Sequence, residues 1–435
     1  MIDLERELAS LDLLEAPDLS VEIDRRAGRP DLDVPGERDR RRAPLRPGPL
    51  VAAALALAAG VAAAVLLMLA FRPPPSGSPA TTRPTPSSIA TTAQDPWESL
   101  PAGWTRVANL PGHRTGAVTV WTGRQLVYWG GVTDAGTGPP DGFAYDPVAG
   151  TWHPLPESPL SAREEAWPFW TGTDVLIWGG RSSGGLPLMD GAAFDPSTDT
   201  WRTIPKPPLN PRFPAAVVWT GRELIVWGGG PDRAQTYRDG AAFDPESNSW
   251  RTIAPGPLLL NLATSVWTGR EVIAFGADLD GGNQANTDFA RGAAYDPATD
   301  SWRVIAPSDL SPQASAVAWT GREMVAWDYE LHAAAYDAET DQWRDLPPIP
   351  LDFSECYPST AFAASTVLAW YCGGAAVLDV GTGTWTEATP SIASAFRPGL
   401  PVAAGSAIAI ATEQGVNRGP SDAGQGLWIY RPATG

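Results

Sequence analysis

Two apolar patterns divide the chain. The first is one unbroken run, Leu50–Phe71 (LVAAALALAAGVAAAVLLMLAF), 22 residues without a charge. At about 1.5 Å per residue, a helix of that length reaches roughly 33 Å, enough to cross a hydrocarbon core. The second pattern begins near Trp97 and is made of short apolar runs separated by Gly, Pro, Asp and Asn. In FPAAVVWTGRELIVWGGG, two such runs flank Thr220-Gly221, which predicts a hairpin whose glycine supplies a positive φ. Gly228-Gly229 ends the second strand, and GAAFDPESNSWRTIA adds two more strands around the turn from Asp244 to Asn248. Four antiparallel strands of this kind predict one propeller blade.

The blade recurs. The string WTG stands at Trp121, Trp170, Trp219, Trp267 and Trp319, at separations of 49, 49, 48 and 52 residues. An aromatic residue followed by Asp-Pro stands at Tyr145, Phe194, Phe243 and Tyr295, and the pattern decays at Tyr336 and Leu378. A tryptophan follows each time, at Trp152, Trp201, Trp250, Trp302, Trp343 and Trp385. Periods of this length with several short strands per unit indicate a propeller. Trp104 lies in a strand of the same character with no strands before it, while the C-terminus supplies three strands without a tryptophan strand. The first strand is therefore expected to complete the last blade, giving an all-β, seven-bladed ring with no open edge.

The unit resembles the kelch repeat: an apolar run, Gly-Gly, an aromatic with Asp-Pro, then tryptophan. The likeness covers about residues 99–435. Gly130-Gly131, Gly179-Gly180 and Gly228-Gly229 are intact. The pair weakens to Gly276-Ala277, fails at Asp328-Tyr329 and returns at Gly373-Gly374. On this reading the tryptophans and Asp-Pro turns are inter-blade packing and turn formers.

Arg38, Arg40, Arg41, Arg42 and Arg46 precede the apolar run and only Arg72 follows at once, so the N-terminus is expected inside a cell membrane and the propeller outside. The domains then run 1–49 (charged cytoplasmic tail), 50–71 (transmembrane helix), 72–98 (Pro/Ser/Thr-rich stalk) and 99–435 (propeller). Lys206 is the only lysine among 31 basic residues, the mark of a GC-rich, actinobacterial type of genome. The formal charge of −18 argues against nucleic acid as a partner. Cys356 and Cys372 flank the first hairpin of the sixth blade and are expected to form a structural disulfide outside the membrane.

Arg114, Arg163 and Arg212 stand seven residues before a WTG tryptophan, where an inner strand begins, and Arg397 holds a similar place in the last blade. Converging guanidiniums suit a carboxylate, sulfate or phosphate. The kelch resemblance implies the same use, since members that bind acidic peptides, and the sialic-acid epimerase branch, place arginines there. Against it, Asp141, Asp190 and Asp239 fall on the same face as possible structural partners, and repeats four and five lose both members together. Asp278–Asn283 is faintly similar to a calcium loop but lacks its final glutamate, and reads as a polar loop. Three histidines in separate blades leave no copper site of the galactose-oxidase type, so no cofactor or metal is expected. Nothing breaks the repeat as a catalytic group would, so the expectation is a non-enzymatic binding module for an envelope protein or an anionic glycan. The alternatives are an enzyme acting on an acidic sugar, and a signal transducer of anti-sigma-like layout.

Overall fold

A computed structural model describes residues 95–433, except 113, 134–140, 232–234, 280–289, 313–315, 352–358, 372–373, 391–395, 399 and 415–425. The predicted tail and span, the stalk up to residue 94, His113 and both cysteines lie outside the described residues, as does the side chain of Arg397. No helix among the described residues is long and apolar enough to cross a membrane.

Seven antiparallel sheets form the propeller. Blades 1 to 6 occupy residues 115–154, 167–204, 216–253, 260–304, 316–346 and 359–387, each with four strands in chain order from the axis outward. Blade 7 is composite. Its interrupted inner strand is Phe396–Pro398 with Val402–Ala404, both paired to Ala407–Gln414. Gly426–Arg431 follows, and the N-terminal strand Gly103–Ala108 lies antiparallel outside it, with Trp104 opposite Tyr430. Val402–Ala404 also neighbours the inner strands of blades 6 and 1, which closes the circle.

The second strands are sandwiched between neighbouring blades, which is why they read as uninterrupted apolar runs. Leu224–Trp227 is buried throughout, and Trp129, Trp178, Trp227 and Trp327 are at most 1% exposed. Each WTG string makes the inner hairpin. Thr220 Oγ1 accepts from the amide of Glu223 (3.0 Å), and Gly221 takes φ 87°, where a Cβ would be strained. Each Asp-Pro turn is capped by its own aspartate, as when Asp146 Oδ1 accepts from the amides of Val148 (2.8 Å) and Ala149 (3.0 Å).

The outer tryptophans tie one blade to the one before it. Trp152, Trp201, Trp250, Trp302 and Trp343 donate their indole N–H to Asn109, Pro156, Pro205, Ala254 and Ala306 carbonyls, and Trp104 donates to Ala388. Trp385 breaks the series: its buried Nε1 has no partner.

Packing against the propeller begins at Asp95, four residues ahead of the expected boundary. Trp97 is buried against Trp121, with ring centroids 5.6 Å apart, and Asp95 accepts from the amides of Trp97 (3.0 Å) and Ser406 (2.8 Å). A large aromatic in the final stretch of the stalk thus joins the core between blades 7 and 1.

Candidate functional site

In an antiparallel blade, the loop leading into the inner strand and the loop joining the second and third strands emerge on one face. Arg114, Arg163 and Arg212 lie in the first kind of loop, Asp141, Asp190 and Asp239 in the second. The glycine pairs permit their meeting. A Cβ on Gly180 would stand 2.7 Å from the Glu164 carbonyl, and one on Gly131 would stand 2.9 Å from the Ala117 amide nitrogen. Both glycines also have positive φ, at 89° and 79°.

The structure joins each arginine to its aspartate. Arg114 Nη2 is 2.5 Å from Asp141 Oδ1, and its Nη1 donates to the Gly130 and Asp141 carbonyls. Arg163 Nη1 reaches Asp190 Oδ1 at 2.8 Å and the Gly179 carbonyl at 3.0 Å, while Nε and Nη2 donate to the Ser161 carbonyl and hydroxyl. Arg212 grips Asp239 with two bonds, 2.6 and 3.1 Å, and lies over the Tyr237 ring at 4.3 Å.

The orientation of these pairs differs from a set of guanidiniums open to an anion. The side chains of Arg163 and Arg212 are 0% exposed, whereas those of Asp190 and Asp239 are 36% and 53% exposed. The accessible atoms are carboxylate oxygens. Burial alone would raise the Asp190 carboxyl, but the hydrogen bond and charge of Arg163 hold it below its ordinary value. Beside it, Arg181 pairs with Glu164 (3.2 Å) and Glu165 (3.0 Å).

Blades 4 and 5 also keep a pair, with the acid buried and the basic residue outward. The position of Asp141 is taken by Arg291 and His332, both partly exposed. Arg291 Nη1 meets buried Asp278 Oδ2 at 3.1 Å, and Asp278 Oδ1 accepts from the Leu259 amide (3.2 Å). Asp278 is thus a buried structural carboxylate within a stretch expected to be a polar loop. His332 Nδ1 lies 3.3 Å from buried Asp328 Oδ2, which also accepts from the Ser311 amide (3.0 Å). Asp328, Glu330 and His332 bring ligand-type atoms within 4.8 Å of one another, but the Asp328 oxygens already accept from three backbone amides. That arrangement stabilises a loop.

A second set of pairs on the opposite face was missed by the sequence reasoning. Arg202, Arg251, Arg303 and Arg344, each following an outer tryptophan, bond Asp174, Glu223, Glu271 and Glu323 at 2.9, 2.7, 2.8 and 2.6 Å. The Trp-Arg dipeptide and the acid three residues beyond each TG threonine were the available signal. The Glu271 bond raises the Arg303 guanidinium, and burial raises the Tyr336 hydroxyl that Arg303 also contacts.

Residues 89–276 match the family model described as the KLHDC2/KLHL20/DRC7 Kelch-repeats domain. Over those residues the chain is similar to kelch repeats, and the described blades form a seven-bladed propeller. The match ends inside blade 4, where the glycine pair gives way and the acid replaces the arginine as the buried member of the pair. Kelch propellers commonly serve as protein-binding scaffolds. No curated protein matches the chain.

Proposed function

We propose that this protein is a membrane-anchored kelch propeller that binds a partner protein outside the membrane through the face bearing the Arg–Asp pairs. The apolar run at 50–71 and the arginines before it support a single span with the N-terminus in the cytoplasm. Binding rather than catalysis is favoured because the charged pairs recur from blade to blade, whereas catalytic groups would gather at one point.

The observation that carries the reading is the orientation of the pairs in blades 1 to 3, guanidinium inward and carboxylate outward. A surface of that kind fits a cationic patch on the partner. The charge of the domain agrees: 37 of the 49 acidic residues but only 20 of the 31 basic ones lie from Asp95 onward. An anionic glycan fits less well, since the donors of Arg163 and Arg212 are turned to carbonyls, a hydroxyl and their aspartates. A disulfide between Cys356 and Cys372 belongs to the same proposal, because it requires an oxidising compartment.

The test uses the full-length chain in non-ionic detergent, passed over immobilised poly-lysine, polyglutamate and heparin at stepped salt. Retention on poly-lysine alone is expected, with loss of retention when Asp141, Asp190 and Asp239 are all changed to Asn. Retention on heparin or polyglutamate, unaffected by that triple change, would overturn the assignment. Protease added to intact expressing cells should remove the propeller and spare the tail; protection of the propeller would overturn the topology.

A further inference from the structure

The outer-strand arginines of blades 2 to 5 share one geometry, and among the described residues one of them has no counterpart across the seam. After gripping its in-blade acid, Arg202 extends Nη1 to Asn248 Oδ1 of blade 3 (3.2 Å). Arg303 extends Nη1 to the Tyr336 hydroxyl (3.0 Å) and Asp341 Oδ1 (3.5 Å) of blade 5. Asn248, Asp300 and Asp341 occupy one repeat position, two residues before the outer tryptophan, with φ of 50°, 49° and 55°. Asp300 and Asp341 also accept from the Ala254 and Ala306 amides, each at 2.9 Å, which closes their seams.

Blade 6 carries Gly383 at this position, with φ 67°, and a Cβ added there would meet nothing within 4 Å. Arg344 still grips Glu323 with Nε (3.0 Å) and Nη2 (2.6 Å). This seam holds a groove of about 540 Å³ whose lining includes Arg322, Arg344, Gln342, Glu323 and Asp337 and which reaches blade 6 at Val380. Among the described residues, this is also the seam whose outer tryptophan, Trp385, makes no indole bond.

We infer that the groove between blades 5 and 6 binds a ligand carboxylate, seated on Arg344 where Asp341 sits on Arg303 one seam earlier. The local charge balance is the same at the two places: an arginine, its in-blade glutamate and a second arginine–aspartate pair, Arg322 with Asp337 here and Arg270 with Asp296 there. The charge around the two places therefore matches, but Leu378 stands where Tyr336 donates its hydroxyl to Asp341 (2.6 Å). Pro347 stands where Ala306 offers its amide, so the ligand depends on side-chain donors. A lone carboxylate should accordingly bind weakly, with Kd on the order of millimolar. It can come from an acidic residue of a polypeptide or from a small free acid. The groove opens on the turns opposite the Arg–Asp face, so this inference does not rest on the proposed partner.

The full-length chain in non-ionic detergent is titrated by calorimetry with N-acetyl-aspartate N-methylamide, its asparagine counterpart and acetate. Saturable binding of the aspartate is expected, with the asparagine at least about tenfold weaker, a difference of 1.4 kcal/mol. Gly383→Asp should supply the carboxylate from within, abolish binding and raise the unfolding midpoint by a few degrees. Arg344→Gln should abolish binding as well. Acetate binding as well as the capped aspartate would identify a small acid as the ligand, and capped aspartate alone an acidic residue. No saturable binding, equal binding of aspartate and asparagine, or a Gly383→Asp protein that still binds would overturn the inference.

Discussion

Blades 1 to 3 and blades 4 and 5 fasten the same two loops with opposite signs. In the first group a cation from the loop leading into the inner strand is buried, and the carboxylate faces water. In the second, a buried carboxylate at the end of the second strand accepts an amide of that leading loop, Leu259 in blade 4 and Ser311 in blade 5, and the base faces outward. In these five blades the junction holds an acid–base pair with one member reaching several backbone groups, and either the base or the acid can fill the buried role. The glycine pairs track the difference. A buried arginine brings its loop so close to the second strand that a Cβ is excluded, whereas Ala277 and Asp328 are tolerated where a short carboxylate forms the link.

If burial rather than sign decides, removing the buried member should be costly in both groups. Arg163→Ala leaves the Gly179 and Ser161 carbonyls without their donor, and Asp328→Ala leaves three amides without their acceptor. Each should cost about 3–5 kcal/mol by denaturant titration. Asp190→Ala and His332→Ala should cost less, roughly 1–2 kcal/mol, because Arg163 keeps its Ser161 and Gly179 acceptors and Asp328 keeps its three amide donors. Equal costs for Asp190 and Arg163 would collapse the comparison.

The seams offer a smaller contrast. Trp250→Phe removes the 2.7 Å bond to Pro205 and should cost about 1 kcal/mol. The same change at Trp385, whose N–H has no partner, should leave the midpoint unchanged or slightly raised.

The smallest effect is that of pH. Asp190 is held below its ordinary pKa, so its contribution is complete above the unfolded-state value and is lost as pH falls through the folded-state one. Stability should decline from about pH 5 downward through the carboxylate range, and Asp190→Asn should flatten that decline by less than about 1 kcal/mol. A variant with the wild-type pH profile would show that the pair carries no charge-dependent stability.

The repeat was legible because its signals are local. Thr-Gly sets the hairpin, Asp-Pro caps its own turn, and the outer tryptophan falls at a fixed offset, so Trp104 alone was enough to indicate closure by the first strand. The Arg–Asp pairs of blades 1 to 3 were legible as alternatives, since spacing puts both residues on one face without saying which is buried. The reversed pairs were not legible. Arg291 and His332 keep the column, but Asp278 and Asp328 stand at different places along their second strands, so the sequence looked like joint loss where an exchange had occurred. Trp97 marked where the pattern begins but was assigned to the stalk, because the stretch before it is dominated by Pro, Ser and Thr.

Pairing Gly103–Ala108 with Gly426–Arg431 fixes the order in which the molecule can be finished during synthesis. The strand Gly103–Ala108 has no partner until Gly426–Arg431 has been made. Until then it is an unprotected edge, and six blades can assemble while the circle stays open. A chain that ends early loses more than its own final strand, because the first one is orphaned with it. Completion of the ring is therefore a built-in check that both ends of the propeller are present.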